Sequence, residues 1–420
     1  MWTPVDIPSS GLVDTFLCGV IMIEKSGRSR ILIACACAIF WPGAFIFGFP
    51  GVMSRHWQQA FNVGAGAVGQ TIFFILIGTA CFMYLCGRWQ EKYGPAKLAA
   101  LGAALCGSSV IWLGRAENMT AVYAWAFLVG ASAAFIYVPA LTVVQRWYPE
   151  RRGLVSGFFN MAFGLAGGVM SPVFTALLSS WSYETINLVL GCVALIVGLT
   201  ASTLIRFPEG HLSRPAADTA IEPTSRSVVE ALKTREFWCL WLTWVLAGAA
   251  GASMLVLATG FGLARGLNLT QAVVLLTGFN LTNGIGRLLS GFFSDRLGSS
   301  RTMAVSFGCA AVAYLIMPHL EGIWLWAALA AVIGYAFGTL FAVTAPLVGD
   351  CFGMAHFGAI FGLIFTAYGF FSGPLGPWLS GYLLDYTQGN YTLVFSYLGF
   401  MYLASAGLIL LVRPRRRYRL

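Results

Sequence analysis

Twelve apolar stretches separated by short polar connections constrain this chain more than any other feature in it. A helix of about 20 residues crosses roughly 30 Å of hydrocarbon. Inside a bilayer no water meets the backbone, so a spanning segment must satisfy its own hydrogen bonds, as a helix or in a closed barrel. The alternating segments of about ten residues that mark barrel strands are not seen. The chain therefore reads as an all-α membrane protein. Its composition agrees: 58% of residues are hydrophobic and 10% charged, where a soluble domain carries about a quarter charged residues.

The predicted spans are residues 30–53, 65–86, 97–114, 120–143, 154–178 and 186–205, then 237–260, 271–293, 301–318, 323–345, 358–384 and 392–412. Pro42 and Pro50 predict irregular backbone in the first span, tolerable only where protein or a cavity surrounds it. Between the two sets runs RFPEGHLSRPAADTAIEPTSRSVVEALKTRE, residues 206–236, the longest hydrophilic segment. Its prolines and charges mark it as a linker between two six-helix bundles, 30–205 and 237–412, flanked by segment 1–29 and basic tail 413–420. Residues 11–23 are apolar but carry Asp14 and no convincing cleavage site. They read as an interfacial segment or as leader upstream of a start at Met22.

Net charge is +9. With twelve spans, 21 of the Lys and Arg residues fall in connections on the side of the termini and 3 (Arg55, Arg115 and Arg265) on the other. By the positive-inside bias both termini are expected to be cytoplasmic, in the cell membrane or, in a bacterium, the inner membrane. The positive charge is then topology, and a nucleic-acid partner is not expected. The ten cysteines are scattered without metal or disulfide spacing, and nothing calls for a metal or cofactor. No Ser-His-Asp arrangement, phosphate-binding loop or dinucleotide loop is visible, so an enzyme is not expected and transport without an ATPase must be secondary.

The halves repeat. Gly87-RWQEKYGPA-Lys97, after the second span, matches Gly291-FFSDRLGSS-Arg301, after the eighth, at an offset of 204. Gly153 in RWYPERRGLVSGFF matches Gly358 in CFGMAHFGAIFGLI at an offset of 205. Equal halves of this kind suit carriers that alternate access around a midplane site. The doubled pattern G-x-x-x-[DE]-[RK]-x-G-x-x-[RK] resembles the signature loop of the major facilitator superfamily, and the resemblance covers essentially the whole chain. Glu91 stands where Asp is usual. Within that superfamily the chain resembles the oxalate/formate antiporter and monocarboxylate transporter group, through GIGRLLSGFFSDRLG, RWYPERRGLVSG and FGLIFTAYGFFSGPLGPWLSGYLLD. The resemblance implies twelve transmembrane helices in two pseudo-symmetric bundles, the major facilitator fold. It also implies a latch on the cytoplasmic face made by Gly87, Glu91, Lys97, Gly291, Asp295, Arg296 and Arg301. There the carboxylates meet helix N-termini and basic partners in the outward-open state.

Stretch Phe279–Arg301, FNLTNGIGRLLSGFFSDRLGSSR, holds Arg287, the one Lys or Arg deep inside an apolar segment. A charge at that depth costs about 3 kcal/mol or considerably more, so it is rarely kept without a task. The acidic residues nearest apolar segments (Asp14, Glu91, Glu150, Asp295, Asp350, Asp385) all lie at helix ends or in connections. Arg287 thus has no intramembrane carboxylate to pair with, and its planar fork suits a substrate carboxylate. Snorkelling or bonding to backbone carbonyls is the structural alternative. Asn280, Asn283 and Arg287 share one helical face, which either lines a cavity or serves as interhelical glue.

Where oxalate carriers of the resembling group hold a lysine, this chain has Tyr368. One fixed cation suits one carboxylate, so a monocarboxylate such as lactate or pyruvate is favoured over a dicarboxylate. Tyr137, Tyr335 with Thr339, Asn160 and Phe47 are further candidates to line the pocket. Coupling stays open between a proton travelling with the acid and a counter-anion in exchange, with His356 as the histidine to test. The protein is expected to work as a monomer in the lipid bilayer. A carboxylate-binding sensor without flux and an efflux pump for apolar compounds are the other readings.

Overall fold

Each apolar stretch forms one membrane-length helix in the computed structural model, which describes residues 28–208 and 225–414. The twelve spans are Arg28–Ser54, Ala67–Tyr93, Pro95–Leu113, Met119–Trp147, Arg152–Ser180, Tyr183–Ser202, Arg235–Ala264, Gln271–Leu297, Ser299–His319, Ile323–Phe352, Phe357–Tyr386 and Tyr391–Leu410, numbered here as spans 1 to 12. No strand occurs among the described residues. The apolar segment 11–23, residues 209–224 of the expected linker and the last six tail residues lie outside the described residues.

Several ends differ from expectation. Spans 2 and 8 run on to Tyr93 and Leu297, so most of each signature motif is helix. The chain turns only at Gly94 (φ 86°) and Gly298 (φ 89°), a left-handed conformation that glycine adopts without a Cβ clash. In span 1 the irregularity sits between the two prolines: helix Arg28–Phe47 carries Pro42 inside it, breaks at Gly48, and Phe49–Phe61 resumes with Pro50 in its first turn. Span 11 widens into π-helical turns at Tyr368–Ser372 and Pro374–Trp378. Pro374 and Pro377 remove two N–H donors there, and such turns absorb the missing bonds.

The end of the linker is ordered against the second half. Arg226 N–H donates to the Phe352 carbonyl at 2.9 Å. Ser227 and Glu230 then form a reciprocal cap on the short helix Val228–Leu232.

Spans 1, 4, 7 and 10 are the most buried, each surrounded by its neighbours. The two halves approach most closely on the face that carries both ends of the described chain, the terminal face. A Cβ on Gly153 would strike the Gly291 carbonyl, and one on Gly87 would strike that of Gly358. Glycine at these repeat-related positions lets backbones of opposite halves touch.

Candidate functional site

Arg287 lies on span 8, is 1% exposed, and reaches across to the other half. Its Nη1 donates to the main-chain carbonyl of Asn160 on span 5 at 3.1 Å. Nε and Nη2 both point at Asn283 Oδ1, each at 3.4 Å. A guanidinium has five N–H donors; three are engaged by these neutral oxygens. Among the described residues no carboxylate pairs with it; carboxylates pair instead with Arg115, Arg146 and Arg152. The charge is held by dipoles and by the Phe341 ring, whose centroid lies 4.6 Å from Cζ.

The opposite wall is the bare surface of span 5. A Cβ at Gly164 would sit 2.8 Å from Arg287 Cζ, so only glycine there lets the guanidinium lie against that helix. Gly157, two turns away on the same face, makes room for the Arg287 carbonyl, and Gly338 on span 10 would put a Cβ 3.2 Å from Arg287 Cγ. Asn160 is itself fixed. Its Oδ1 accepts from the Tyr137 hydroxyl at 2.6 Å, and its amide donates to the Ser156 carbonyl at 2.9 Å. Ser156 Oγ then donates across the halves to the Ala342 carbonyl at 2.8 Å.

Aromatic rings enclose the rest. Tyr137 meets Phe361 and Phe365, with centroids 6.1 Å apart in each case. Tyr368 packs 5.4 Å from Phe341, the ring that faces the guanidinium, and 6.0 Å from Trp244.

The structure therefore gathers Arg287, Asn283, Tyr137 and Tyr368 into one cluster. The other candidates stand apart. Asn280 is exposed. The Tyr335 ring packs on Gly286, and Thr339 Oγ1 donates to the Tyr335 carbonyl at 2.9 Å, so this pair serves the contact between spans 8 and 10. Phe47 is 46% exposed and reaches the cluster only through Phe163, at 5.1 Å, which in turn touches Tyr137. Phe341, Gly164 and the Asn160 carbonyl were not singled out from the sequence for these parts. The spacing Gly157–Asn160–Gly164 on one helical face was the available signal for the last two.

On the terminal face the expected latch is uneven. Asp295 bridges the halves: Oδ1 accepts from Gly153 N–H at 2.7 Å and Oδ2 from Leu154 N–H at 2.8 Å, both at the N-terminus of span 5. Glu91 instead pairs within its own half, with Arg146 at 2.7 Å, and Arg146 carries the link onward to the Met354 carbonyl at 3.0 Å. His356 caps span 11 without a side-chain bond. Lys97 and Arg301 are exposed, and Arg296 stacks on its own Phe292 at 4.3 Å; none of the three touches the opposite half in a described contact. A cross-half pair that the sequence reading missed, Arg152–Asp350 at 3.7 Å, adds to the closure. Among the described residues no group of His, Cys, Asp or Glu has metal-site geometry.

Twelve membrane-length helices in two halves, with a charged residue buried where the halves meet and a carboxylate bridging them at one face, are the architecture of a membrane carrier. The chain belongs to the Major Facilitator Superfamily, whose family model matches residues 35–320 and again 259–419. It is similar to the "Oxalate:formate antiporter" of Oxalobacter formigenes, 27% identical over 67% of this chain and 67% of that one. It is also similar to "Monocarboxylate transporter 13" of Rattus norvegicus, 25% identical over 88% and 86% of the two chains. Among solved structures the fucose:proton symporter of E. coli superposes with a TM-score of 0.67 at 16% identity, over 91% of this chain and 98% of that one. A proton:xylose symporter gives 0.70 at 13% identity, over 92% and 96%. At those identities the structures establish the fold alone. The chain is thus a multi-pass membrane transporter.

Proposed function

We infer that this transporter carries small monocarboxylates of the lactate or pyruvate kind, by alternating access and together with a proton. Arg287 binds the carboxylate. The observation that carries the reading is a buried guanidinium between the two halves with only neutral oxygens on it. A buried arginine without a counter-ion is costly; a substrate anion supplies the missing charge, and two of the five N–H donors match its two oxygens.

The walls select the rest of the molecule. Phe341, Phe361, Phe365 and Trp244 are apolar, and Tyr368 offers one hydroxyl. No second cation stands among them, which favours one carboxylate on a short apolar body. Asn283 orients the fork; Tyr137, through Asn160, holds the floor on which it rests. With no carboxylate to relay a proton inside the cluster, the proton travels with the acid itself: a proton from water neutralises the bound anion beside Arg287, which keeps its own charge, and release follows. Cytoplasmic termini in a cell membrane follow from the distribution of Lys and Arg.

The similarity to an oxalate:formate antiporter supports a second reading, anion exchange. Proteoliposomes loaded with lactate and given labelled lactate outside, with and without an inward proton gradient, separate the two. Accumulation that follows the gradient supports symport. Exchange indifferent to it supports antiport, and silence with lactate, pyruvate, formate and oxalate overturns both.

A further inference from the structure

The protein supplies Arg287 with oxygens from both halves: the Asn160 carbonyl on span 5 and the Asn283 amide on its own span 8. These two acceptors stand against the same guanidinium that, on the reading above, takes the two oxygens of a carboxylate. The floor is built for this contact. Gly164 carries no side chain to keep the guanidinium off the helix, and Tyr137 and Ser156 lock Asn160 in place. Phe341 closes the opposite side of the fork. The bond from Arg287 to Asn160 crosses from one half to the other, so it joins the halves at the very residue that handles the substrate.

We propose that this self-docking of Arg287 on Asn160 is what lets the carrier return without cargo, making it a net transporter and not an obligatory exchanger. The proposal rests on Arg287 being the carboxylate site. A carrier whose binding arginine had no acceptor of its own would have to close around a bare charge, and only a second anion would bring it back. Here a neutral carbonyl and an amide oxygen take that role. Because they are neutral they hold the arginine more weakly than a carboxylate does, so an arriving anion displaces them. Once an anion stands between Arg287 and span 5, the guanidinium no longer rests on Gly164, and a Cβ there matters less.

The test compares two fluxes in the same proteoliposomes: efflux of labelled lactate into buffer without substrate, and efflux into buffer with lactate. Wild type is expected to show efflux without substrate at a rate within about tenfold of exchange, the factor that one net hydrogen bond accounts for. In Gly164→Ala, the ratio of the first flux to the second is expected to fall about tenfold further. Wild-type exchange with no efflux into substrate-free buffer overturns the proposal while leaving the carboxylate reading intact. An unchanged ratio in Gly164→Ala also overturns it. No flux of any monocarboxylate in either mode overturns the reading and this inference with it. If Gly164→Ala does not reach the membrane, Tyr137→Phe, which frees the Asn160 side chain that fixes the docking carbonyl, is measured in its place with a fall in the same ratio expected.

Discussion

Arg287 donates to the main-chain carbonyl of Asn160 across the two halves at 3.1 Å, and this bond shares its helix pair with the Asp295 contact at the terminal face. Eight residues further along span 8, Asp295 accepts from Gly153 and Leu154 at the start of span 5, the span that carries Asn160. Between them the helices are held close by Gly157 and Gly291. The candidate site and the closure of the terminal face are therefore two ends of one antiparallel contact.

Because Asp295 bridges the halves and Glu91 does not, the two halves of the repeated motif should respond unequally. Asp295→Asn keeps one acceptor and turns an amide N–H toward a backbone N–H, losing a charge-assisted pair at a helix N-terminus. A cysteine placed at buried Ser156 should then be labelled from the terminal face about tenfold faster, the equivalent of one such bond. Glu91→Gln, which disturbs a pair inside one half, should change labelling by no more than about twofold. Equal effects would contradict the asymmetric latch.

The Tyr137 hydroxyl donates to Asn160, so it acts on Arg287 at one remove. Tyr137→Phe leaves a buried amide oxygen without its donor, at a cost of about 1–3 kcal/mol. The expected result is a lower melting temperature and, because a loosened Asn160 competes less with the anion for Arg287, a KM for lactate no higher than that of wild type, with preference among short monocarboxylates kept. A change in that preference would mean that the hydroxyl touches the substrate directly.

Tyr368 lies on the first π-helical turn of span 11 and packs against Phe341, the ring that faces the guanidinium. A lysine at this position would bring a second cation toward the same pocket. Tyr368→Lys should shift competition for transport from lactate toward oxalate by about tenfold, the scale of one charged hydrogen bond. No gain in oxalate competition would count against the argument that one cation selects one carboxylate.

Much of this architecture was readable in the chain because its signals are local. Apolar length marks a span, and the repeat at an offset of 204 locates the paired motifs. Arg287 was legible for the same reason, as a charge where none is tolerated without cause. What was not legible depends on which helices of opposite halves meet. Asn280 sits on the helical face of Arg287 yet is exposed, since seven residues of helix carry it out of the contact between spans 5 and 8. Tyr335 is polar within an apolar run, but its ring fills the space left by Gly286. The Asn160 carbonyl could not be singled out, because a main-chain oxygen has no letter in the sequence. Lys97, Arg296 and Arg301 follow the motif but stay on their own side, where charges at an interface need no partner.

The central claim is that Arg287 binds the substrate carboxylate through its planar fork. Counterflow of labelled lactate, measured side by side in proteoliposomes of wild type and Arg287→Lys at equal protein, tests it most directly. A lysine keeps the charge and loses the fork, and one buried bond to a charged group is worth about 1.5–3 kcal/mol. Robust counterflow is expected in wild type, and a fall of about 10- to 100-fold in Arg287→Lys. Counterflow in Arg287→Lys equal to that of wild type would contradict the claim.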